Sequence, residues 1–108
     1  NVDDVAWYFS NSSNQTHPVC QKRKNGFGLC DMSGNVWEWC HDSFDDKIYK
    51  NRATNENPVN WNNAPCARVL RGGSFRFDGV SCRVAARDGH AADYRFVSGG
   101  LRLLRCEP

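Results

Sequence analysis

Gly28-Leu29-Cys30-Asp31-Met32-Ser33-Gly34-Asn35-Val36-Trp37-Glu38-Trp39-Cys40 joins a polar, glycine-containing turn to a run in which two tryptophans flank a carboxylate. The alternation has the two-residue period of a strand, so Trp37 and Trp39 share one face and Val36, Glu38 and Cys40 the other. A carboxylate on a strand beside bulky apolar groups needs a partner, because burying its charge alone is costly. An arginine from elsewhere in the chain would serve, and the spacing by itself favours that pairing. Alternatively, Asn35 and Glu38 with the main-chain carbonyls of Val36 and Cys40 would begin a set of hard oxygens of the kind calcium takes, with loops or water completing it.

Outward from this strand the chain reads as short extended pieces separated by turns. Residues 3–10 form a short strand or a turn-rich start, followed by a Ser- and Asn-rich loop through Thr16. Lys22-Arg23-Lys24-Asn25-Gly26 is a basic turn, read as a solvated tip. Residues 45–65 carry no period and form a long loop; Trp61 within it is expected to fold back onto the core. Strands are expected at 69–77, with a bulge or close backbone approach at Gly72-Gly73, at 82–87 and at 101–104, with a polar stretch over 88–98. The expected class is α+β, loop-rich, with short antiparallel strands and little helix.

Composition bounds the function. At 108 residues the chain is expected to form a single domain, 1–108, whose core is limited and rests on large rings, four tryptophans and six phenylalanines. A net charge of +2 argues for neither nucleic acid nor membrane insertion, and no apolar run approaches a spanning length. Six cysteines in so short a chain point to an oxidising setting, such as a cell surface, a virion or the secreted space. Cys20 and Cys30 flank a short turn and could close a local loop, and Cys66 could reach Cys106. Each bridge would contribute about 2–4 kcal/mol. Asn11 and Asn14 head glycosylation triplets, which arise readily by chance. The three histidines have no zinc spacing, and Ser74 follows two glycines but lacks the G-x-S-x-G context of a nucleophile elbow.

The opening stretch resembles the D-M-x-G-N-V-W-E-W signature of the sulfatase-modifying-factor family, whose best-known members are formylglycine-generating enzymes. Further blocks follow in family order: Arg68-Val69-Leu70-Arg71-Gly72-Gly73-Ser74-Phe75, Arg83-Val84-Ala85-Ala86-Arg87 and Gly100-Leu101-Arg102-Leu103-Leu104. Val5-Ala6-Trp7-Tyr8 and His17-Pro18-Val19 also fit. The resemblance implies a C-type lectin-like fold and a calcium site at Asn35, Val36, Glu38 and Cys40. It also implies that Cys40 and Cys82 are neighbours on adjacent central strands, where they would form a third bridge. Family members usually carry a substantial segment before the point where this chain starts. The expectation is therefore a minimal domain, or one whose remainder has been removed or comes from a partner chain.

In the oxidases of this family two cysteines bind copper(I), a soft ion suited to thiolates. Counted from the Gly-Gly-Ser-aromatic block, those positions here are Phe77 and Cys82. A phenyl ring cannot ligate copper, so neither copper nor catalysis is expected. Family members without the pair usually carry an Asn- and Arg-rich run there. Those positions here hold Arg76, Phe77, Ser81, Ala86, Asp88, His90, Tyr94, Phe96, Val97 and Ser98, interleaved with persistent framework residues. Such a mixture resembles a paratope, and the pattern is similar to the variable proteins of diversity-generating retroelements. The expected function is a non-catalytic module binding a protein or glycan. The alternative is a formylglycine-generating-type oxidase, or a fragment of one completed by a partner chain.

Overall fold

The computed structural model describes residues 1–47 and 67–104. Asn1 caps a single helical turn, α1 (Val2–Val5), by accepting a bond from the Asp3 nitrogen. Strand β1 (Ala6–Trp7) then pairs in parallel with β2 (Ser33–Gly34). The second sheet holds β3 (Trp37–Ser43), β4 (Ala67–Arg71), β5 (Arg87–Ala91) and β6 (Gly99–Gly100) in the order β5-β4-β3-β6. The β3–β4 and β4–β5 pairs are antiparallel, whereas β6 runs parallel to β3. The description therefore fits the loop-rich class with little helix.

Among the described residues the buried apolar side chains are Ala6, Trp37, Val69, Leu70, Phe75 and Cys82. Polar side chains share the interior and are bonded there. Ser12 Oγ donates to the Phe75 carbonyl at 2.9 Å, and Asn35 Oδ1 accepts from the His17 nitrogen at 3.0 Å. A disulfide between Cys20 and Cys30 closes a ten-residue span of the chain.

Several elements differ from the sequence expectation. The strand from Val69 stops at Arg71 because Gly72 and Gly73 both turn left-handed, at φ 92° and 74°. The expected close approach is at Gly73, where a Cβ would lie 2.8 Å from the Ser81 oxygen. Residues 78–86 form successive turns instead of a strand, with Ser81, Cys82, Arg83 and Ala86 each bonding three residues back. The strand begins only at Arg87 and takes the first part of the supposed polar stretch. At the C-terminal end the paired residues are Gly99–Gly100, and 101–104 are unpaired and exposed. The basic turn is tied down more than expected: Lys22 lies 4.0 Å from the Trp7 ring and donates to the Asp3 carbonyl.

The expected Cys40–Cys82 bridge is not formed, and both are free thiols. Cys82 sits in the turn packed against Gly73, and the strands that flank β3 carry no cysteine. The other expected pair, Cys66 and Cys106, and Trp61 lie outside the described residues.

Candidate functional site

Strand β3 organises two different surfaces. Its register with β4 and β5 aligns Trp39, Leu70 and Asp88 on one face and Glu38, Arg71 and Arg87 on the other. On the first face each tryptophan receives a ring from a later loop. Phe77 meets Trp37 edge-on at 5.6 Å, and Phe96 meets Trp39 in the same manner at 5.9 Å. Around Phe96 the rings continue: Tyr94 stacks at 5.3 Å, and His90 lies 4.8 Å from Tyr94 and 5.5 Å from Phe96. Asp88 and His90, two apart on β5, share a face, and Asp88 Oδ2 stands 4.0 Å from His90 Nε2.

These rings form a platform that is half covered. Trp37 is buried, Phe96 and His90 are half-buried, and Tyr94 is 51% exposed. Two shallow hollows of about 260 Å³ each share Trp39 as a wall; one adds Tyr94, Arg95 and Phe96, the other Cys40, His41 and Arg68. Stacked rings beside a guanidinium, with an acid and an imidazole close by, offer apolar area and adaptable polar contacts together. Such a surface can bind.

The sequence-predicted binding residues therefore divide. Asp88, His90, Tyr94 and Phe96 converge around Trp39, and Phe77 joins the same face through Trp37. Val97 is exposed, and Arg76 lies over the buried Phe75 ring at 5.3 Å. Ser81 is held in its turn by Asp78, to which it donates at 3.1 Å. The Ala86 carbonyl accepts from Arg71, a residue of the Glu38 face. Ser98 is 5% exposed and its carbonyl takes the Trp37 N–H, so it belongs to the frame and not to an exposed surface. Trp39 at the centre of the platform was not singled out from the sequence; its alternation with Glu38 was the available signal.

On the Glu38 face the carboxylate is clasped by Arg102. Arg102 Nη2 reaches Oε1 at 2.6 Å and Nε reaches Oε2 at 2.9 Å. The same guanidinium donates to the Cys30 carbonyl at 2.9 Å. The side-chain bond to Glu38 raises the Arg102 pKa above its ordinary value. Asn35 is also committed: its Nδ2 donates to the His17 carbonyl at 3.0 Å while its Oδ1 takes the His17 N–H. Asn35, Val36 and Glu38 do line one hollow of about 280 Å³, which Cys40 does not join. Asn35 Oδ1 already accepts the His17 N–H and both Glu38 oxygens accept from Arg102, so in this arrangement the guanidinium is the cation beside Glu38. Of the two copper positions, Phe77 is committed to Trp37. Cys82 is 4% exposed, and burial pushes its thiol pKa up, against thiolate formation.

Comparison with known proteins gives one consistent family. Residues 3–106 match the model of the sulfatase-modifying factor enzyme 1-like domain. A formylglycine-generating enzyme of Streptomyces coelicolor is 43% identical over 93 residues, covering 81% of this chain and 28% of that protein. Among solved structures, Treponema denticola variable protein 1 superposes with a TM-score of 0.74 at 32% identity, over 93% of this chain and 35% of that one. PvdO from Pseudomonas aeruginosa gives a TM-score of 0.77 at 27% identity, over 91% and 38%. The chain thus spans about a third of the length of these relatives.

Proposed function

The chain belongs to the sulfatase-modifying factor enzyme 1-like domain family, with a C-type lectin-like fold, and from that premise we propose that it is a non-catalytic binding module. Its ligand surface is the aromatic platform on the Trp37–Trp39 face of β3, with Phe77, Asp88, His90, Tyr94, Phe96 and Val97 as contact residues and Arg76 at its margin. The observation that carries the reading is the packing of Phe77 on Trp37. By its place after the Gly-Gly-Ser-aromatic block, Phe77 is also the residue that stands where the resemblance puts the first copper cysteine of the oxidases, which supports the non-catalytic reading. Similarity to a variable protein supports a role as the variable protein of a diversity-generating retroelement, binding a protein or a glycan. The Cys20–Cys30 disulfide supports a cell-surface, virion or secreted setting.

Two tests bear on this directly. Incubation with copper(I), oxygen and a cysteine-containing sulfatase peptide is expected to yield no formylglycine above a no-protein control. Product above that control overturns the non-catalytic reading. Sequencing the flanking DNA is expected to find a reverse transcriptase and a near-repeat of the region coding for residues 69–104; their absence removes the retroelement part.

The second reading is a formylglycine-generating-type oxidase, or part of one completed by a partner chain, favoured by the 43% identity to such an enzyme. It requires a thiolate other than residue 77 to join Cys82. Calcium at Asn35, Val36, Glu38 and Cys40 is retained only as a competitor of Arg102 for Glu38.

A further inference from the structure

The Glu38 side of β3 opens on a groove of about 660 Å³, much the largest of the hollows described above. Phe27, Val84, Leu103 and Leu104 line it and are 90%, 89%, 89% and 87% exposed. Met32 adds a further large apolar side chain to the same wall. Single exposed apolar residues are ordinary on a protein surface, but six around one concavity, Leu29 among them, mark a surface that binds something.

The charge of the groove narrows the occupant. Arg23, Arg71, Arg83 and Arg102 line it against one carboxylate, Glu38. Glu38 is used by Arg102, and Arg23 lies 3.8 Å from Asp4. Arg71 donates to the carbonyls of Ala85 and Ala86, and Arg83 to that of Val80. Those acceptors are neutral, so among the described residues neither Arg71 nor Arg83 has an ion-pair partner within 4.0 Å. Length supplies a second argument. The superposed unit is 91–93% of this chain but only 35–38% of the solved relatives, so those proteins carry further polypeptide beside the same unit in sequence.

We propose that this groove docks an acidic amphipathic polypeptide segment of a partner chain, its apolar side chains against Phe27, Val84, Leu103 and Leu104 and its carboxylates on Arg71 and Arg83. The inference sharpens the partner-chain part of the second reading; of the residues around the aromatic platform, Trp39 and Cys40 also line the groove, and none of the rings packed around Trp39 does. Cys40 lines the groove, so its thiol reports occupancy.

The test uses the full chain and a fluorescein-labelled peptide of about 18 residues with leucines at helical spacing and glutamates elsewhere, against a twin with lysine for every glutamate. In fluorescence anisotropy the glutamate peptide is expected to bind at least about tenfold more tightly than its lysine twin. Leu103→Asp and Val84→Asp are expected to weaken it by roughly tenfold or more without moving the melting temperature, because both side chains are nearly fully exposed. Tyr94→Ala is expected to leave this binding unchanged, which separates failure of the groove from failure of the platform. Peptide-mapped alkylation of Cys40 is expected to slow when the glutamate peptide is present. Absence of binding, equal binding of the two peptides, or insensitivity to both aspartate variants overturns the proposal. Sedimentation showing a dimer that Leu103→Asp dissolves would assign the groove to a second copy and equally overturn it.

Discussion

The corner at Gly34-Asn35 and the segment from Tyr94 to Val97 are both irregular connections beside β3, yet they are held by different forces. At the corner the main chain does the work. Gly34 N–H donates to the Gly72 carbonyl and Asn35 N–H to the Trp7 carbonyl, each at 2.7 Å, while the Asn35 carbonyl accepts from Phe75 at 2.8 Å. Both residues are left-handed, at φ 77° and 62°, and the Asn35 amide clamps His17 as well. The Tyr94–Val97 segment has two backbone bonds, Tyr94 N–H to Ala91 and Gly99 N–H to the Phe96 carbonyl, and otherwise rests on ring contacts. Ring contacts depend on shape and area, so their side chains can change while the backbone beneath stays in place.

The sharpest way to break this contrast is Gly34→Ala. A Cβ there would lie 2.7 Å from the Trp7 nitrogen at a φ that disfavours it, and the expected loss is about 3 kcal/mol or more in urea unfolding. A loss under about 1 kcal/mol would mean that the corner is not the fixed point described here. Asn35→Ala, which orphans both His17 backbone groups, is expected to cost about 2–3 kcal/mol.

An intermediate effect is expected where side chains hold framework segments together. Arg102→Ala unties Glu38 and the Cys30 carbonyl, but the pair is partly exposed, so the loss is expected near 1 kcal/mol and smaller at high salt. Because Arg102 supplies the cation, the melting temperature is expected to be equal in excess calcium and in chelator. A rise with calcium would show that the ion displaces the guanidinium.

The smallest effect on stability is expected at Tyr94→Ala, within about 0.5–1 kcal/mol by thermal unfolding, since half of that side chain is already in water. Partner binding is expected to disappear in the same variant. Retained binding would remove Tyr94 from the ligand surface.

The same contrast explains what the sequence disclosed. The alternation at Trp37-Glu38-Trp39 located the central strand and its two faces because period two is a local property. The Gly72-Gly73 break was legible for a similar reason, glycine being the residue that takes a left-handed backbone without cost. The block Arg83-Val84-Ala85-Ala86-Arg87 misled, since it has no alternation and its conformation is set by turn bonds that residue type does not specify. The final strand, expected at 101–104, is displaced to Gly99–Gly100 because its pairing with Trp37 and Glu38 is wholly non-local. Of the site, the aromatic members could be named from their interleaving. That Phe77 and Phe96 meet on one strand through successive tryptophans, and that Ser98 turns inward, are tertiary facts.

The most direct measurement is a saturation scan on the displayed protein, reading folded expression at every substitution of two sets of positions. One set is Phe77, Asp88, His90, Tyr94, Phe96 and Val97; the other is Gly34, Asn35, Gly73 and Ser74. The binding-module account predicts that most substitutions in the first set keep the protein folded, with median losses under about 1 kcal/mol, while most in the second unfold it. Equal intolerance in the two sets would contradict the claim that a fixed frame carries a changeable ligand surface.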